Sequence, residues 1–368
     1  PGALVIGTGF GILTHARALR EAGFDVVGLV GRNPEKTAKR AKLFDIPNAL
    51  TSVPDALALP GVDVVCVTTP PHSHAEIAIA AAEAGKHVVC EKPFARDADE
   101  GRQMLEAVEK AGVIHLLGCE FRYSTGQALA TRAVQEGQIG EPRLATFMLH
   151  MPGVSDPAGE VPAWWGVASE GGGWLGAYAS HVVDQVRVTL GEISGVSASL
   201  TLLSNHDWTA EDSYTIHFRT TTGVDGVLQS TAGSWGPPAT CARIAGSKGT
   251  LIIEGDTVSI ADATGQRTLD VPDDLRNPAP SPPPAELLVT QYDMLHSMGI
   301  DIGPFTKLFG ALRTCMDGGE LPTDPAPATF VDGLRGQQVL DAIRKSSVDH
   351  AWVPIAEGRN ATAANGRT

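Results

Sequence analysis

The sequence has no long hydrophobic run and little positive charge. Its 28 lysines and arginines face 42 aspartates and glutamates, so the 368 residues carry a formal net charge of −14. That charge repels polyanions, which argues against nucleic acid or an anionic membrane as a partner. No apolar stretch approaches the roughly 20 residues that span a bilayer, and no charged segment with a cleavage site marks a leader. We therefore expect neither a nucleic-acid nor a membrane partner.

Cysteine is scarce as well, and its spacing argues against a disulfide framework. None of the five cysteines is paired at CxxC spacing, and three lie in or just after apolar strand-like runs. Buried free thiols of this kind are typical of a reducing compartment. We therefore predict a cytoplasmic protein. The cysteines are Cys66, Cys90, Cys119, Cys241 and Cys315.

Two common catalytic patterns are also missing. His72 and His74 are close in sequence but have no third ligand at the spacing of a metal site, so we expect no bound metal. The sequence contains no GxSxG, the turn that carries the nucleophile in many serine hydrolases. A Ser–His–Asp hydrolase therefore has no support.

The first 120 residues alternate β-rich runs with helical runs. Val62–Thr68 is an almost continuous apolar run, as expected for a parallel strand that is buried on both faces. Repeated alternation at this spacing is typical of a doubly wound parallel sheet, so we predict an α/β Rossmann domain over residues 1–120. The other predicted strands are Ala3–Gly7, Asp25–Gly31, His87–Glu91 and Val113–Cys119, and the predicted helices are His15–Ala22, Glu35–Phe44, Ala75–Ala84 and Ala98–Ala111.

After residue 120 the β-like segments follow one another without regular intervening helices. This pattern favours a large, mostly antiparallel open sheet with a few helices on one face, and so a C-terminal α+β domain over 121–356 for substrate binding and oligomerisation. We expect a flexible polar tail at 357–368. An open sheet face needs a cover, which predicts a homodimer or homotetramer formed through this sheet. The predicted strands are Leu144–His150, Val196–Leu203, Ser213–Arg219, Gly226–Thr231, Ala242–Ala245, Thr250–Ile253 and Val258–Ala261, and the predicted helices are Thr125–Glu136, Glu286–Met298, Gly303–Cys315 and Phe330–Ser346.

A glycine-rich turn joins the first predicted strand to the first helix. In Gly7-Thr8-Gly9-Phe10-Gly11 the glycines permit a tight turn and let backbone N–H groups approach a pyrophosphate at the helix N-terminus. The turn departs from GxGxxG, because Ile12 stands where the third glycine belongs. Its place between a strand and a helix nevertheless predicts that these five residues bind a dinucleotide.

The end of the second strand bears on which dinucleotide is bound. A site for NAD usually carries an acidic residue there, which binds the ribose 2′-hydroxyl. This chain has no acid before Glu35 and has Arg32 instead. A guanidinium can pair with a 2′-phosphate and stack on adenine. We therefore predict NADP as the preferred cofactor, with NAD as the alternative if Arg32 is only a solvated surface residue.

Several separated motifs give the chain a family resemblance. Thr69-Pro70-Pro71-His72-Ser73-His74 follows one apolar strand and Glu91-Lys92-Pro93 follows the next, while the glycine-rich segment Gly171–Asp184 and the turn Gly246–Leu251 lie in the second half. Together with the glycine turn they resemble the Gfo/Idh/MocA oxidoreductases, the family of glucose–fructose oxidoreductase and inositol dehydrogenase. The resemblance extends over essentially the whole chain.

The resemblance implies roles for the two motifs of the first domain. Thr69, Pro70 and His74 are expected to line the ribose on the nicotinamide side, and the Glu91-Lys92-Pro93 segment is expected to bring the catalytic Lys92 over the nicotinamide ring. Glu91 and Lys92 are both expected to contact the cofactor. In many members the lysine–proline bond of this segment is cis, which makes Lys92–Pro93 a candidate for that isomer.

Chemistry supports the lysine independently of the resemblance. Oxidation of an alcohol needs a base for the hydroxyl proton beside the hydride acceptor. A free lysine amine, with a pKa of ~10.4, is a poor base at neutral pH, but burial and a neighbouring cation favour the neutral amine. Lys92 follows a predicted strand at the carboxyl edge of the sheet, where ligands of such folds bind.

The segment Gly171–Asp184 is expected to supply the other half of the site. His181 suits a base, an acid or a ligand of a substrate hydroxyl, because a histidine titrates near neutrality. Asp184 lies one helical turn later and is expected to orient the imidazole. The common pattern of the family has aspartate four residues before the histidine, where this chain has Ala177. The proton relay is therefore expected to rest on Lys92 and His181, with Tyr178 as a further candidate.

Other residues complete the predicted substrate site. Trp164 and Trp165 offer aromatic faces that pack on the C–H faces of sugars and exclude water, although such residues also fill domain interfaces. Arg122 and Tyr123 match the arginine–aromatic position of the family, where they bind substrate or brace the crossover. The predicted substrate-binding residues are Arg122, Tyr123, Trp164, Trp165, Tyr178 and Asp184.

These observations predict an NAD(P)-dependent oxidoreductase that transfers a hydride between nicotinamide and a sugar, cyclitol or related polyol. Lys92 would exchange the proton, and His181 would position the hydroxyl or carbonyl. Two alternatives stay open. The substitution at Ala177 also suits a regulator that senses a nucleotide or sugar without turnover, and a tightly held NAD would suit redox-neutral chemistry on a glycoside.

Overall fold

Two β-sheets organise the chain. The computed structural model describes residues 1–159, 161–277, 279, 280, 282, 284, 286, 296 and 300–356. The first sheet has six strands, all parallel to their neighbours. These strands are β1 (Gly2–Ile6), β2 (Asp25–Val30), β3 (Asn48–Leu50), β4 (Val64–Val67), β5 (His87–Cys90) and β6 (His115–Leu117).

Helices cover both faces of this sheet, so the predicted Rossmann architecture is confirmed. The four residues of β4 are fully buried, as their apolar run predicts. The strands lie in the order β3-β2-β1-β4-β5-β6, which reverses direction between β1 and β4. Ligands of open α/β sheets bind at this switch point, outside the carboxyl ends of the strands. The helices of the domain are α1 (Ala16–Glu21), α2 (Pro34–Leu43), α3 (Val53–Leu57), α4 (His74–Glu83) and α5 (Ala98–Ala111).

The second sheet has nine strands and is mostly antiparallel, as predicted. One neighbouring pair, β7 with β10, is parallel. The strands are β7 (Pro142–His150), β8 (Ile193–Thr201), β9 (Ser213–Thr220), β10 (Asp225–Thr231), β11 (Ala239–Gly246), β12 (Thr250–Glu254), β13 (Thr257–Asp262), β14 (Gly265–Thr268) and β15 (Val353–Pro354). Their order is β14-β13-β12-β11-β7-β10-β9-β8-β15.

One face of the second sheet forms a core with helices. Along β9, buried residues alternate with exposed or partly exposed ones, which is the pattern of a strand with one face covered. Tyr214, Ile216 and Phe218 belong to the buried set. The helices that pack on this side are α6 (Thr125–Gln135), α7 (Ser180–Leu190) and α9 (Phe330–Asp349).

Helices from the second half of the sequence also pack on the first domain. Helix α8 (Ile302–Met316) packs against α1. Its residues Phe305 and Phe309 are fully buried in the same apolar cluster as β1 residues Ala3 and Val5. The aromatic rings of α8 therefore complete the core of the nucleotide-binding domain.

The structure contains short elements that the sequence did not predict. Strands β3, β14 and β15 have two to four residues each, too few to show a periodic pattern. Between β1 and α1, Gly11–His15 forms one turn of π-helix. The predicted helix Glu286–Met298 lies outside the described residues apart from its positions 286 and 296, and the predicted tail 357–368 lies wholly outside them. No helix in the described part of the chain is long and apolar enough to cross a bilayer.

Candidate functional site

The glycine turn leaves an open cradle at the end of β1. Gly7 has a φ of +132°, and a Cβ there would lie 2.5 Å from the carbonyl oxygen of Thr68. A Cβ at Gly11 would lie 2.2 Å from Thr68 Oγ1, so neither position accepts a side chain. Nothing lies within 4 Å of a Cβ placed on Gly9. The close approach to β4 and the open tip fit a pyrophosphate at the N-terminus of the following helix.

The end of β2 packs directly on this turn. A Cβ at Gly31 would lie 2.3 Å from Thr8 Cγ2, and the guanidinium of Arg40 donates a hydrogen bond to the Thr8 carbonyl. Arg32 follows Gly31 and is exposed. Arg32, which we predict to contact the adenosine ribose, therefore lies beside the glycine turn with its side chain exposed to a ligand.

The loop after β4 is tied to the loop after β5 by a buried histidine. His74 Nε2 is 2.7 Å from the Thr69 carbonyl oxygen, and Nδ1 is 3.1 Å from the carbonyl oxygen of Pro93. Burial lowers the pKa of His74. Because its side chain has no exposed surface, it cannot line the ribose as the resemblance implied. His74 instead joins the two loops, and Thr69 and Pro70 remain partly exposed for that role.

Glu91 also has a partner that the resemblance did not imply. Its Oε1 atom is 2.7 Å from Nε2 of His15, a fully buried residue in the helix that follows the glycine turn. Only 5% of Glu91 is exposed. The expectation that Glu91 contacts the cofactor is therefore corrected: its carboxylate links the glycine-turn helix to the segment that carries Lys92.

Lys92 reaches across the cleft between the domains. Its Nζ atom donates a hydrogen bond of 3.1 Å to the carbonyl oxygen of Ala177, and the side chain is half-buried. The Lys92–Pro93 peptide is cis, as the resemblance suggested. Ala177 lies one helical turn before His181, so the structure brings Lys92 and the histidine segment together.

Small residues allow this close approach of the two domains. A Cβ at Gly171 would lie 2.7 Å from Pro71 Cβ, and one at Gly176 would lie 3.1 Å from Pro93 Cγ. The glycine-rich segment thus packs against both proline-containing loops of the first domain. These contacts set the distance between the glycine-rich segment and the carboxyl edge of the parallel sheet.

His181 sits in a buried polar group beside Lys92. Its ring stacks on Phe121 with centroids 4.1 Å apart, and Nδ1 is 4.0 Å from Glu120 Oε2. Burial, followed by the charges of Lys92 and His296, lowers the pKa of His181 well below its ordinary value. The expectation of a histidine that titrates near neutrality is therefore corrected, and the imidazole is neutral at physiological pH.

Asp184 does not orient that imidazole, contrary to the sequence prediction. Its two oxygens accept hydrogen bonds of 2.7 and 2.6 Å from Nε and Nη2 of Arg122. Arg122 also donates to Asp332 at 2.9 Å. All of this lies in the interior, with Arg122 and Asp184 nearly unexposed. These residues brace the start of α7 and α9, so the bracing alternative for Arg122 is favoured over substrate binding.

Tyr123 is likewise placed in the core rather than the cleft. It is 4% exposed and belongs to the apolar cluster of the first domain. Burial raises the pKa of its phenol beyond the ordinary range. Its predicted contact with substrate is therefore corrected to a packing role.

The predicted aromatic residues form one continuous wall. Trp164 and Trp165 make an edge contact with centroids 6.2 Å apart, Trp165 lies 6.0 Å from Trp174, and Trp174 stacks on Tyr178 at 5.2 Å. Trp164, Trp165 and Tyr178 are partly exposed. Burial raises the pKa of Tyr178 to about 12, so its phenol stays protonated and is available as a hydrogen-bond donor.

Sequence reasoning missed four polar residues of this region. Glu120 and His15 were overlooked, although a charged residue and a histidine within mostly apolar segments are a usable signal. His296 pairs with Asp301 at 2.9 Å and lies 5.0 Å from the ring of Phe10, which therefore turns toward this group. Neither His296 nor Asp301 lies in a motif.

Across the described residues, no group of three or more histidine, cysteine or acidic side chains could hold a metal ion.

Comparison with known proteins gives a consistent result in both domains. Residues 2–119 match the description "Oxidoreductase family, NAD-binding Rossmann fold", and residues 128–252 match "GFO/IDH/MocA C-terminal domain". Levoglucosan dehydrogenase from Pseudarthrobacter phenanthrenivorans is 38% identical over 170 residues, which are 46% of this chain and 43% of that protein. The aligned part thus spans less than half of this relative.

Solved structures resemble the chain over nearly its whole length. Levoglucosan dehydrogenase in complex with NADH and levoglucosan has a TM-score of 0.80 at 27% identity, covering 97% of this chain and 99% of that one. An oxidoreductase domain protein from Kribbella flavida has a TM-score of 0.81 at 29% identity, with 97% and 99% covered. The protein belongs to the Gfo/Idh/MocA oxidoreductase family, and its first domain is an NAD-binding Rossmann domain.

Proposed function

We propose that this protein transfers a hydride between a nicotinamide cofactor and a sugar, cyclitol or related polyol, with Lys92 and His181 at the reacting centre. The hydrogen bond from Lys92 Nζ to the Ala177 carbonyl oxygen, 3.1 Å long, carries this proposal. It brings an amine at the carboxyl edge of the parallel sheet next to the turn that leads to His181. We expect both groups to face the place where a nicotinamide of this fold lies.

The residues divide the chemistry between them. When bound, the nicotinamide supplies or accepts the hydride. The Lys92 amine exchanges a proton with the substrate oxygen, since it is a partly exposed titratable group at the carboxyl edge of the parallel sheet. The neutral His181 ring positions that oxygen by a hydrogen bond. The wall of Trp164, Trp165 and Tyr178 packs on the carbon skeleton and excludes water from the hydride path.

The sugar class is supported by the names of relatives. These include levoglucosan dehydrogenase, 1,5-anhydro-D-fructose reductase from Ensifer adhaerens and D-apiose dehydrogenase from Paraburkholderia graminis. Aromatic walls of the kind described above suit such substrates, because sugars present C–H faces as well as hydroxyls.

The test is a steady-state assay of the purified chain with NAD⁺ or NADP⁺ and a panel of sugars, anhydrosugars and cyclitols. We expect release of reduced cofactor with at least one compound. Tight nucleotide binding without reduction by any compound would instead support a sensor that lacks turnover. Cofactor that co-purifies and is never released would support redox-neutral chemistry on a glycoside.

We further propose NADP as the preferred cofactor, because Arg32 stands where an acidic residue would select NAD. Arg32→Ala is expected to weaken NADP binding by about tenfold or more, since a charge-assisted hydrogen bond is lost, and to change NAD binding by less than about twofold. Titration calorimetry with both nucleotides measures this. Arg102→Ala, which removes an exposed arginine on α5, is the matched control. Equal losses for the two nucleotides would show the preference wrong.

We also propose a homo-oligomer formed through the outer face of the second sheet. Leu144, Val227 and Trp352 are 54%, 37% and 43% exposed. Register pairs Val227 with His217, and Trp352 packs near the His217 ring at 5.4 Å, so these side chains share one face. Exposed apolar residues on an open sheet favour burial against another copy. A monomer mass by light scattering would contradict this.

A further inference from the structure

Two buried polar atoms near the reacting centre face each other without partners. Glu120 Oε2 and His181 Nδ1 have no hydrogen-bond partner among the described residues. Glu120 is 1% exposed and His181 is 5% exposed. Buried polar atoms in native proteins are nearly always paired, so two neighbouring exceptions call for an explanation.

The surroundings of the two groups determine their charges. Glu120 is faced by Glu91 and Asp301, which are acidic, and by Lys92. Burial, with these two acids, raises the pKa of Glu120 well above its ordinary value. Lys92 and His296 face His181, and both act to lower the pKa of its ring. The pair is therefore a protonated carboxyl beside a neutral imidazole, which is a hydrogen-bond donor matched to an acceptor.

We propose that Glu120 is a positioning residue for His181 and selects which nitrogen of its ring carries the proton. This inference rests on the proposed hydride transfer. It also gives a physical reason why the chain tolerates Ala177, because a carboxyl group reaches the imidazole from the segment after β6 instead of from the turn before α7.

The distance between the two atoms agrees with a contact that tightens on binding. Glu120 Oε2 and His181 Nδ1 are 4.0 Å apart, about 1 Å longer than a hydrogen bond. Catalytic hydrogen bonds are often long before substrate binds and shorten in the complex. Phe121 already stacks on the His181 ring at an interplanar angle of 22°. A small movement of the Glu120 side chain is therefore enough to bring the two atoms within hydrogen-bond distance.

The protonation state of Glu120 then has a direct consequence at the other ring nitrogen. While Glu120 carries its proton it donates to Nδ1, so the neutral ring bears its proton on Nε2 and donates to a substrate carbonyl. When Glu120 loses that proton to solvent, the ring proton moves to Nδ1, which donates a hydrogen bond to the carboxylate. Nε2 then accepts a hydrogen bond from a substrate hydroxyl. Low pH therefore favours the ring form for reduction, and high pH the form for oxidation.

The test compares wild type with Glu120→Gln, which keeps the size of the side chain but does not titrate. Ring nitrogen NMR of His181 in the full chain, loaded with reduced cofactor, reports the tautomer between acid and alkaline pH. In wild type we expect a change from the Nε2–H to the Nδ1–H form. In Glu120→Gln we expect the same tautomer ratio at every pH. The ratio of kcat/KM for oxidation to kcat/KM for reduction should also change with pH about tenfold less than in wild type.

Controls separate this inference from a fold defect and from the proposed function. Glu109→Gln, an exposed residue on α5, should behave as wild type in both measurements. Unchanged cofactor affinity in Glu120→Gln shows that the site is intact. A wild-type tautomer change that persists in Glu120→Gln, or a wild-type ring that never changes tautomer, overturns the inference. Failure of the sugar panel overturns only the proposed function, because the NMR measurement needs no turnover.

Discussion

Replacing Lys92 with methionine is expected to lower kcat by about 10²- to 10⁴-fold, the range for loss of a positioned acid or base. Methionine keeps an unbranched side chain only one atom shorter, and it removes both the titratable amine and the 3.1 Å hydrogen bond to Ala177. Because we propose that the glycine turn and the end of β2 hold most of the nucleotide, its affinity should stay within about threefold. Steady-state kinetics and nucleotide titration, run on the same preparation, measure the two effects.

A matched lysine controls for nonspecific effects of this change. Lys110 is exposed near the end of α5, and Lys110→Met should leave kcat unaltered. Lys92→Arg keeps a positive charge but holds its proton more firmly, so it should lose nearly as much activity as the methionine variant. Turnover at the wild-type rate in Lys92→Met would remove Lys92 from the mechanism and leave His181 as the remaining acid or base.

The second large effect concerns stability. Arg122→Ala is expected to lower the free energy of unfolding by about 3–5 kcal/mol, because removal of one member of a buried ion pair leaves its partners charged in the interior. The partners are Asp184, which makes two hydrogen bonds with Arg122, and Asp332, which makes one. Urea unfolding followed by circular dichroism measures the loss. Arg122→Lys, with one point charge in place of the fork, should give an intermediate value.

An exposed ion pair provides the control for this prediction. Arg219 pairs with Asp225 at 2.8 Å, and both side chains are substantially exposed. Arg219→Ala should lower the free energy of unfolding far less than Arg122→Ala does, because solvent screens the exposed pair. A similarly small loss for Arg122→Ala would show that the buried network contributes little to folding.

The same network makes a prediction about acid. Burial alone would raise the pKa of Asp332, but Arg122 and Arg187 outweigh that effect, so its pKa lies below the ordinary value. A depressed pKa contributes stability above the ordinary aspartate pKa of about 4, and that contribution is lost as the pH falls through the folded value. Wild type should therefore lose more stability than Arg122→Ala between neutral and acid pH.

The parts of the site that the sequence predicted are those fixed by topology. Parallel strands end at a common edge, so motifs that directly follow β1, β4 and β5 must lie side by side there. That reasoning placed the glycine turn, Thr69 and Lys92 correctly relative to one another. The glycine-rich segment Gly171–Asp184 was assigned to the opposite side of the cleft because it matches a family motif and follows the first-domain motifs in the family's order.

The partners of individual side chains were harder to predict. Helical spacing put Asp184 on the same face of α7 as His181, but a carboxylate binds whichever cation packing brings nearest. Here that cation is Arg122, which lies 62 residues away in sequence. Glu91 and His74 were assigned to the cofactor from their neighbours in the motifs, and burial against His15 and the Thr69 carbonyl gave them other roles. Such pairings depend on how the elements pack, and no local pattern encodes them.

The return of α8 to the first domain has a consequence for how the protein is made. The nucleotide-binding half is synthesised first, yet its apolar interior includes Phe305, Phe309 and Leu312 from near the other end of the chain. Domains usually fold as units while translation continues. Here the early half can reach its final packing only after the late helix has been translated. An isolated fragment limited to the parallel sheet would expose to water the apolar surface that this helix covers.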